Sequence, residues 1–414
     1  MAKPQPHHAS EDTHAKASVF VQTGQPIETR SFPLPGSLAP GAALCKVELS
    51  TICGSDLHTI EGRRQEPAPL ILGHEIVGRV AALGRGLEED WLGNPLKVGD
   101  RITWSIVVAC GDCFYCHKQL PQKCEDLIKY GHCCCEGEHP LTGGFSEYIY
   151  LHPRTCIIKL PDSVSSQAAA PANCVLATAC NALDSVGCVR GESVLIQGAG
   201  LLGVYLSALC KEAGAERIFV TDMQPARLEM ATRFGADVGI DLSHISPEGA
   251  EALVKAETFG RGVDVVFEAC GVSTVVPHGL DLLCKGGRYL VAGLVSPNSP
   301  INIPGEVLTR NCLSLIGIHN YRPEHLASAI RFLEEAGDRY PLDEIVGATY
   351  ALSRFEDAVE DAKSQKHLRV AVRPGPGAAR GGAAAENRLR VVIPDGVAPV
   401  SLPPRKTASS EPNT

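Results

Sequence analysis

The chain has no excess of basic charge. Its 38 Lys and Arg stand against 47 Asp and Glu, a net charge of −9. That argues against a nucleic-acid or anionic-membrane partner, which would favour a basic patch. No apolar run is long enough to span a bilayer. The opening residues, M-A-K-P-Q-P-H-H-A-S-E-D, lack the apolar core of a secretory signal. With no such signal, the 17 cysteines are expected to be reduced thiols in a cytoplasmic setting rather than disulfides.

What is present is the composition of a globular protein, 44% hydrophobic and 21% charged over 414 residues. That length predicts two or three domains. Residues 1–16 are polar and aperiodic, so a disordered tail holding His7, His8 and His14 is expected, with order from near Ala17. The runs S-V-F-V-Q, A-L-C-K-V-E-L-S, E-I-V-G-R-V and K-V-G-D-R-I-T-W read as short strands between Gly and Pro. They predict a small β-barrel or sandwich in the first 160 or so residues.

Two cysteine-bearing stretches carry metal chemistry. Cys110, Cys113, Cys116 and Cys124 fall at spacings of 3, 3 and 8. Four thiolates on one lobe can close a tetrahedral zinc site that pins a coreless loop; an iron–sulfur cluster is the competing reading. Cys133, Cys134 and Cys135 are adjacent, cannot easily face one metal, and read as incidental. Earlier, C-G-S-D-L-H and G-H-E place Cys53 and His74 21 residues apart, a thiolate and an imidazole that suit zinc. Asp56 and Glu75 are carboxylates beside them. Ser55 and His58 can pass a proton toward solvent. By itself this stretch is equally compatible with a buried Cys and a structural His that never meet. Cys174, in an Ala-rich helical run, reads on its own as a buried helical cysteine.

From Glu192 strands and helices alternate. The strand S-V-L-I-Q leads into Gly198, Gly200 and Gly203 in a G-x-G-x-x-G arrangement. The next strand ends at Asp222, 19 residues beyond Gly203. Such glycines let backbone approach a pyrophosphate at a helix N-terminus, and the acid accepts from ribose hydroxyls, favouring NAD over NADP. Four further strand-like runs predict a doubly wound parallel sheet of about six strands. Residues 323–336 read as an amphipathic helix, and the later strands are expected to rejoin the first domain. After Arg373, P-G-P-G-A-A-R-G-G reads as a flexible linker, and 374–414 are expected to be mostly disordered.

These motifs, in this order, resemble those of the zinc-containing medium-chain alcohol dehydrogenases. The resemblance covers residues 17–373. It implies an α/β protein: a GroES-like β-rich catalytic domain over 17–172 with a zinc lobe at 109–125, a Rossmann NAD-binding domain over 173–322, and a return to the first domain over 323–373. It makes Cys53, His74 and Cys174 the ligands of a catalytic zinc, with Glu75 as a ligand in some relatives. It gives the four-cysteine lobe a structural zinc, so two Zn2+ per chain. It assigns Ser55 and His58 to a proton relay, and Asp56 to orienting His74. Leu201, Leu202 and Arg227 join Gly198, Gly200, Gly203 and Asp222 as cofactor contacts. The implied partners are a small alcohol or carbonyl substrate and a second copy of the chain, as a homodimer or homotetramer. One departure is Gly54, where some relatives place a basic residue against the pyrophosphate.

The stretch L-P-Q-K-C-E-D-L-I-K-Y-G-H, with A-P-A-N-C, is similar to a branch associated with phosphonate catabolism. That would want Arg or Lys at the substrate, with Arg63, Arg64 and Lys129 as candidates against the alternative of exposed surface cations. Sorbitol-, threonine- and butanediol-type dehydrogenases are the other substrate classes. A non-catalytic relative or a zinc-free quinone reductase would be expected to have lost Cys53, His74, Cys174, Ser55 or His58, all of which are present.

Overall fold

The computed structural model describes residues 13–296 and 299–375. Nearly all of the C-terminal stretch expected to be disordered lies outside the described residues, as do His7 and His8. At the other end one boundary is corrected. His14, Ala15 and Lys16 are not tail: they open the strand His14–Phe20, paired antiparallel with Glu28–Pro33 from His14↔Pro33 onward. Ala15 and Ala17 are fully buried. Two small side chains give a burial signal too slight to stand out in a polar stretch.

The strand Ala43–Thr51 is the hub of a seven-stranded sheet. It pairs antiparallel with Glu75–Leu83, with Tyr148–Leu151 and with Arg369–Arg373. Its A-L-C-K-V-E-L-S-T run is buried along most of its length, with Lys46 exposed and Glu48 partly so. The strand Arg369–Arg373 also pairs parallel with Val346–Ala351, so the last described strands lie in the same sheet as the third.

A second sheet has six strands, all parallel. Their order is Val238–Asp241, Arg217–Asp222, Ser193–Gln197, Val263–Glu268, Leu283–Val291, Ser314–Gly317. Val194, Leu195, Ile196, Phe219, Val266 and Phe267 are wholly buried, as expected where helices cover both faces. Chain direction across the sheet reverses between Ser193–Gln197 and Val263–Glu268. A crevice outside the carboxyl ends of those strands is where such sheets bind ligands.

Between the sheets, the helix Pro323–Ala336 buries Leu326, Ala329, Ile330 and Leu333 in a core shared with the helix Ala177–Val186. Tyr321 sits just before it, 1% exposed. Its hydroxyl donates to the Asn173 carbonyl and accepts from the Ile106 N–H at 3.1 Å. Asn173 and Cys174 lie in a π-helical turn, Ala172–Leu176, a widened turn often found at functional sites.

The turn from Gln197 into the helix Leu201–Glu212 tolerates no side chain at two places. A Cβ on Gly203 would lie 1.9 Å from the Gly198 carbonyl oxygen, and Gly198 itself has φ +108°. Gly203→Ala is therefore expected to cost about 1–3 kcal/mol, read as a lower urea midpoint at unchanged m-value. An unchanged midpoint would mean the turn is not held this tightly.

Candidate metal and cofactor site

Among the described residues, two groups of His, Cys, Asp and Glu are close enough to hold a metal. The first is the cysteine lobe. Sγ separations are 4.0 Å for Cys110–Cys116, 3.5 Å for Cys113–Cys116 and 3.8 Å for Cys113–Cys124. Four thiolates each about 2.3 Å from a zinc would sit roughly 3.8 Å apart, so the cluster fits the ion. Backbone N–H groups donate to the sulfurs, Cys110 to Cys124 at 3.2 Å and Cys113 to Cys110 at 3.3 Å. The backbone N–H groups of Glu125 and then Cys116 bring the Cys113 thiol down to about 6. Cys133, Cys134 and Cys135 stand apart from this. Cys133 turns its thiol to the Lys129 carbonyl at 3.2 Å, while Cys134 accepts from the Glu136 N–H at 3.5 Å.

The second group brings Cys53, His74, Glu75 and Cys174 together, with one ligand atom of each within 4.8 Å of the others. Each arrives on a different device. Cys53 caps the helix Gly54–Ile60. His74 immediately precedes the strand Glu75–Leu83. Cys174 comes from the π turn. Asp56, 0% exposed, ties the first two: its carboxylate accepts from the Cys53 N–H at 2.9 Å and the Gly73 N–H at 3.2 Å, and lies 3.4 Å from His74 Nδ1. Burial opposes charge on His74, but Asp56 and Cys53 outweigh it and lift the imidazole to about 10. The Cys174 thiol, followed by Arg369 and His74, pulls Cys53 well below the usual thiol range, and Cys53 in turn pushes Cys174 up. Ser55 Oγ is 3.3 Å from His74 Nε2. His58 is partly buried on the same helix; burial and then Arg63 lower its pKa.

Glu75 has a partner the sequence reading missed. Arg369 donates to both its oxygens, at 2.7 and 2.9 Å, and Thr51 Oγ1 donates at 2.6 Å. Arg369 also reaches Cys53 Sγ at 3.8 Å. Glu75 is thus within the cluster but held by a guanidinium. Burial, and Cys53 after it, raise its carboxyl to about 7 against the pull of Arg369. Arg369 lies 294 residues from Glu75, and no local motif marks it.

At the glycine turn, Asp222 has both oxygens on backbone: Oδ2 accepts from Ala199 N–H at 2.8 Å and Oδ1 from Gln224 N–H at 2.9 Å. It holds the turn against the end of its own strand. Leu201 is buried and Leu202 partly so. Arg227 is half-buried and donates to Gln365 at 3.3 Å. The three candidate substrate cations separate. Arg63 is 60% exposed and paired with Glu61. Arg64 pairs with Glu66 at 2.5 Å, which also holds His132 at 2.9 Å. Lys129 is partly buried, and its pKa is lowered first by burial and then by Arg64. His132, also missed, places its ring 5.1 Å from that of His74.

Residues 39–162 match the alcohol dehydrogenase GroES-like domain family and residues 202–335 the zinc-binding dehydrogenase family. A 5-exo-hydroxycamphor dehydrogenase of Pseudomonas putida is 32% identical over 85% of this chain and 96% of its own length. An alcohol dehydrogenase structure from Thermotoga maritima is 30% identical with a TM-score of 0.83, covering 87% of this chain and all of that one. A Sinorhizobium meliloti zinc-binding dehydrogenase solved with NADP is 25% identical, TM-score 0.76, over 88% of this chain and all of its own.

Removing Arg369 leaves the buried Glu75 without its counter-charge. Arg369→Ala is expected to cost about 3–5 kcal/mol by denaturant titration, and Glu75→Gln in the same background to recover part of it. Additive losses would show that the pair is not coupled.

Proposed function

The chain belongs to the zinc-containing medium-chain alcohol dehydrogenase family, and from that premise we propose that it moves a hydride between NAD and a primary or secondary alcohol, with two zinc ions per chain. The convergence of Cys53, His74 and Cys174 beside Ser55 carries the reading. Three protein ligands leave a zinc one open position, whereas four cysteines leave none. The first set is the catalytic site and the lobe is structural. When bound, zinc supplies the charge that makes an alcohol hydroxyl more acidic, and the nicotinamide supplies the hydride acceptor.

The chain's own share is placement and proton handling. Asp56 fixes the Cys53 and Gly73 backbone and faces His74, so two ligands are oriented by one buried carboxylate. Ser55 takes the substrate proton, and His58 passes it toward solvent. Glu75 stays with Arg369 and is the reserve ligand. The glycine turn and the N-terminus of Leu201–Glu212 receive the pyrophosphate. Asp222 accepts from the adenosine ribose with the lone pairs left by its two backbone bonds, and repels a 2′-phosphate.

The direct test is NAD and NADP reduction against a panel of cyclic and acyclic secondary alcohols, polyols, amino alcohols and hydroxyphosphonates, with zinc measured on the same preparation. About two zincs per chain are expected. Cys174→Ser should retain about one and lose turnover. Asp222→Ala should move preference toward NADP. A zinc-free protein inert across the panel would sink the proposal, and an unchanged cofactor preference would remove the ribose role of Asp222.

The relay has its own signature. His58 accepts a proton only when neutral, and its pKa is lowered by burial and Arg63. Hence kcat/KM should fall on the acid side at a pH below that of an ordinary histidine. His58→Asn should flatten that limb while zinc content holds. A limb that persists in the variant would assign it to another group.

A second reading of the substrate rests on Lys129, a partly buried ammonium whose charged neighbours include Arg64, Cys174 and Cys53. An anionic group on the alcohol, such as a phosphonate, would neutralise it. In the same panel that reading requires hydroxyphosphonates to outperform polyols, and Lys129→Met to erase the advantage.

A further inference from the structure

Glu268 ends the strand Val263–Glu268, directly across the sheet's switch point from Ser193–Gln197. Its side chain is 0% exposed. What faces it is backbone. Oε1 accepts from the N–H groups of Cys270 at 3.0 Å and Gly271 at 2.6 Å. Oε2 accepts from those of Gly293 at 2.8 Å and Leu294 at 3.1 Å. The carbonyl of the same residue accepts from Ala292 N–H at 3.1 Å. A carboxylate has about four lone-pair directions, and here each meets an N–H.

The two pairs of donors belong to different loops, one after Val263–Glu268 and one after the neighbouring strand Leu283–Val291. The loops are pressed together. A Cβ on Gly293 would lie 2.5 Å from the Gly271 nitrogen and 2.7 Å from Glu268 Oε1. The first loop also backs onto the glycine turn, where a Cβ on Gly198 would lie 2.7 Å from that of Cys270. The strands are already paired along their length, so the carboxylate is not needed to align them. It fixes what lies beyond their carboxyl ends, where the crevice opens.

A sheet of this order is built from two mononucleotide-binding halves. The glycine turn and Asp222 lie in the half running from Ser193 to Asp241. The clasped loops lie in the other half, which in such a sheet is the side of the second nucleotide. We propose that Glu268 is a positioning residue: by clasping residues 269–271 to residues 293–294 it sets the wall against which the nicotinamide end of the cofactor rests. This rests on the reading that the chain uses a nicotinamide dinucleotide. The clasp acts on hydride-transfer geometry and on the nicotinamide half of binding, and leaves the adenosine half alone.

Glu268→Gln turns an NH2 group toward one pair of N–H donors and releases one loop. Three quantities separate a clasp from general structural support: the Kd of NADH, the Kd of ADP-ribose, which lacks the nicotinamide, and kcat. In E268Q the Kd of NADH is expected to rise and kcat to fall, by up to about 10²-fold for a misplaced reactive end. The Kd of ADP-ribose and the zinc content should stay at wild-type values. Glu268→Asp keeps the charge but draws the oxygens back, and is expected to give the same split if E268Q fails to fold. NADH and ADP-ribose weakening together, or neither changing while wild type binds both, overturns the clasp alone. Wild-type protein that binds ADP-ribose but not NADH overturns both the clasp and the nicotinamide reading.

Discussion

A buried ion pair, Arg369 with Glu75, is the constraint on which the first domain closes. Glu75 is wholly buried and opens the strand that follows His74. Arg369 opens the last described strand. A guanidinium can hold a carboxylate in two parallel bonds, and burial makes the loss of either partner costly. The pair therefore couples the return of the chain, after the parallel sheet is complete, to the placement of Cys53 and His74. Strand pairing of Arg369–Arg373 with Ala43–Thr51 sets the register that lets the two meet.

The two thiol clusters show one ligand chemistry used in two ways. The lobe takes four sulfurs from 15 consecutive residues, 110–124, and donates backbone N–H to them. Close sequence spacing suffices there because the loop has little else to organise it. The other cluster collects its ligands from a helix cap, a strand edge and a π turn, and surrounds them with Asp56, Thr51 and Arg369. Its members sit on rigid elements, which suits the open position proposed for it.

The parallel sheet fixes its own loops with carboxylates. Asp222 clamps the glycine turn through two backbone N–H groups, and Glu268 clamps two loops through four. Both carboxylates end strands. Both convert the dipoles of loop backbone into fixed geometry at the edge of the crevice. A loop held in this way loses little further entropy when a ligand arrives, which is the advantage of preorganisation.

Local chemistry in the sequence determined the motifs: the cysteine lobe, the glycine turn with its acid, the Ser55 and His58 pair, and the alternation that builds the parallel sheet. Each is a signal of short range, where spacing alone dictates which groups share a turn or a face. Resemblance, not spacing, singled out Cys174, whose own surroundings look like any buried helical cysteine. Only the tertiary structure brought Arg369 to Glu75, His132 to His74 and four backbone N–H groups to Glu268. It also placed His14, Ala15 and Lys16 in a strand, with Ala15 and Ala17 buried. The physical reason is common to all of these. A pairing across 294 residues, or a bond to backbone that any residue type could supply, leaves no pattern in the sequence, because its partner is chosen by sheet register and loop packing.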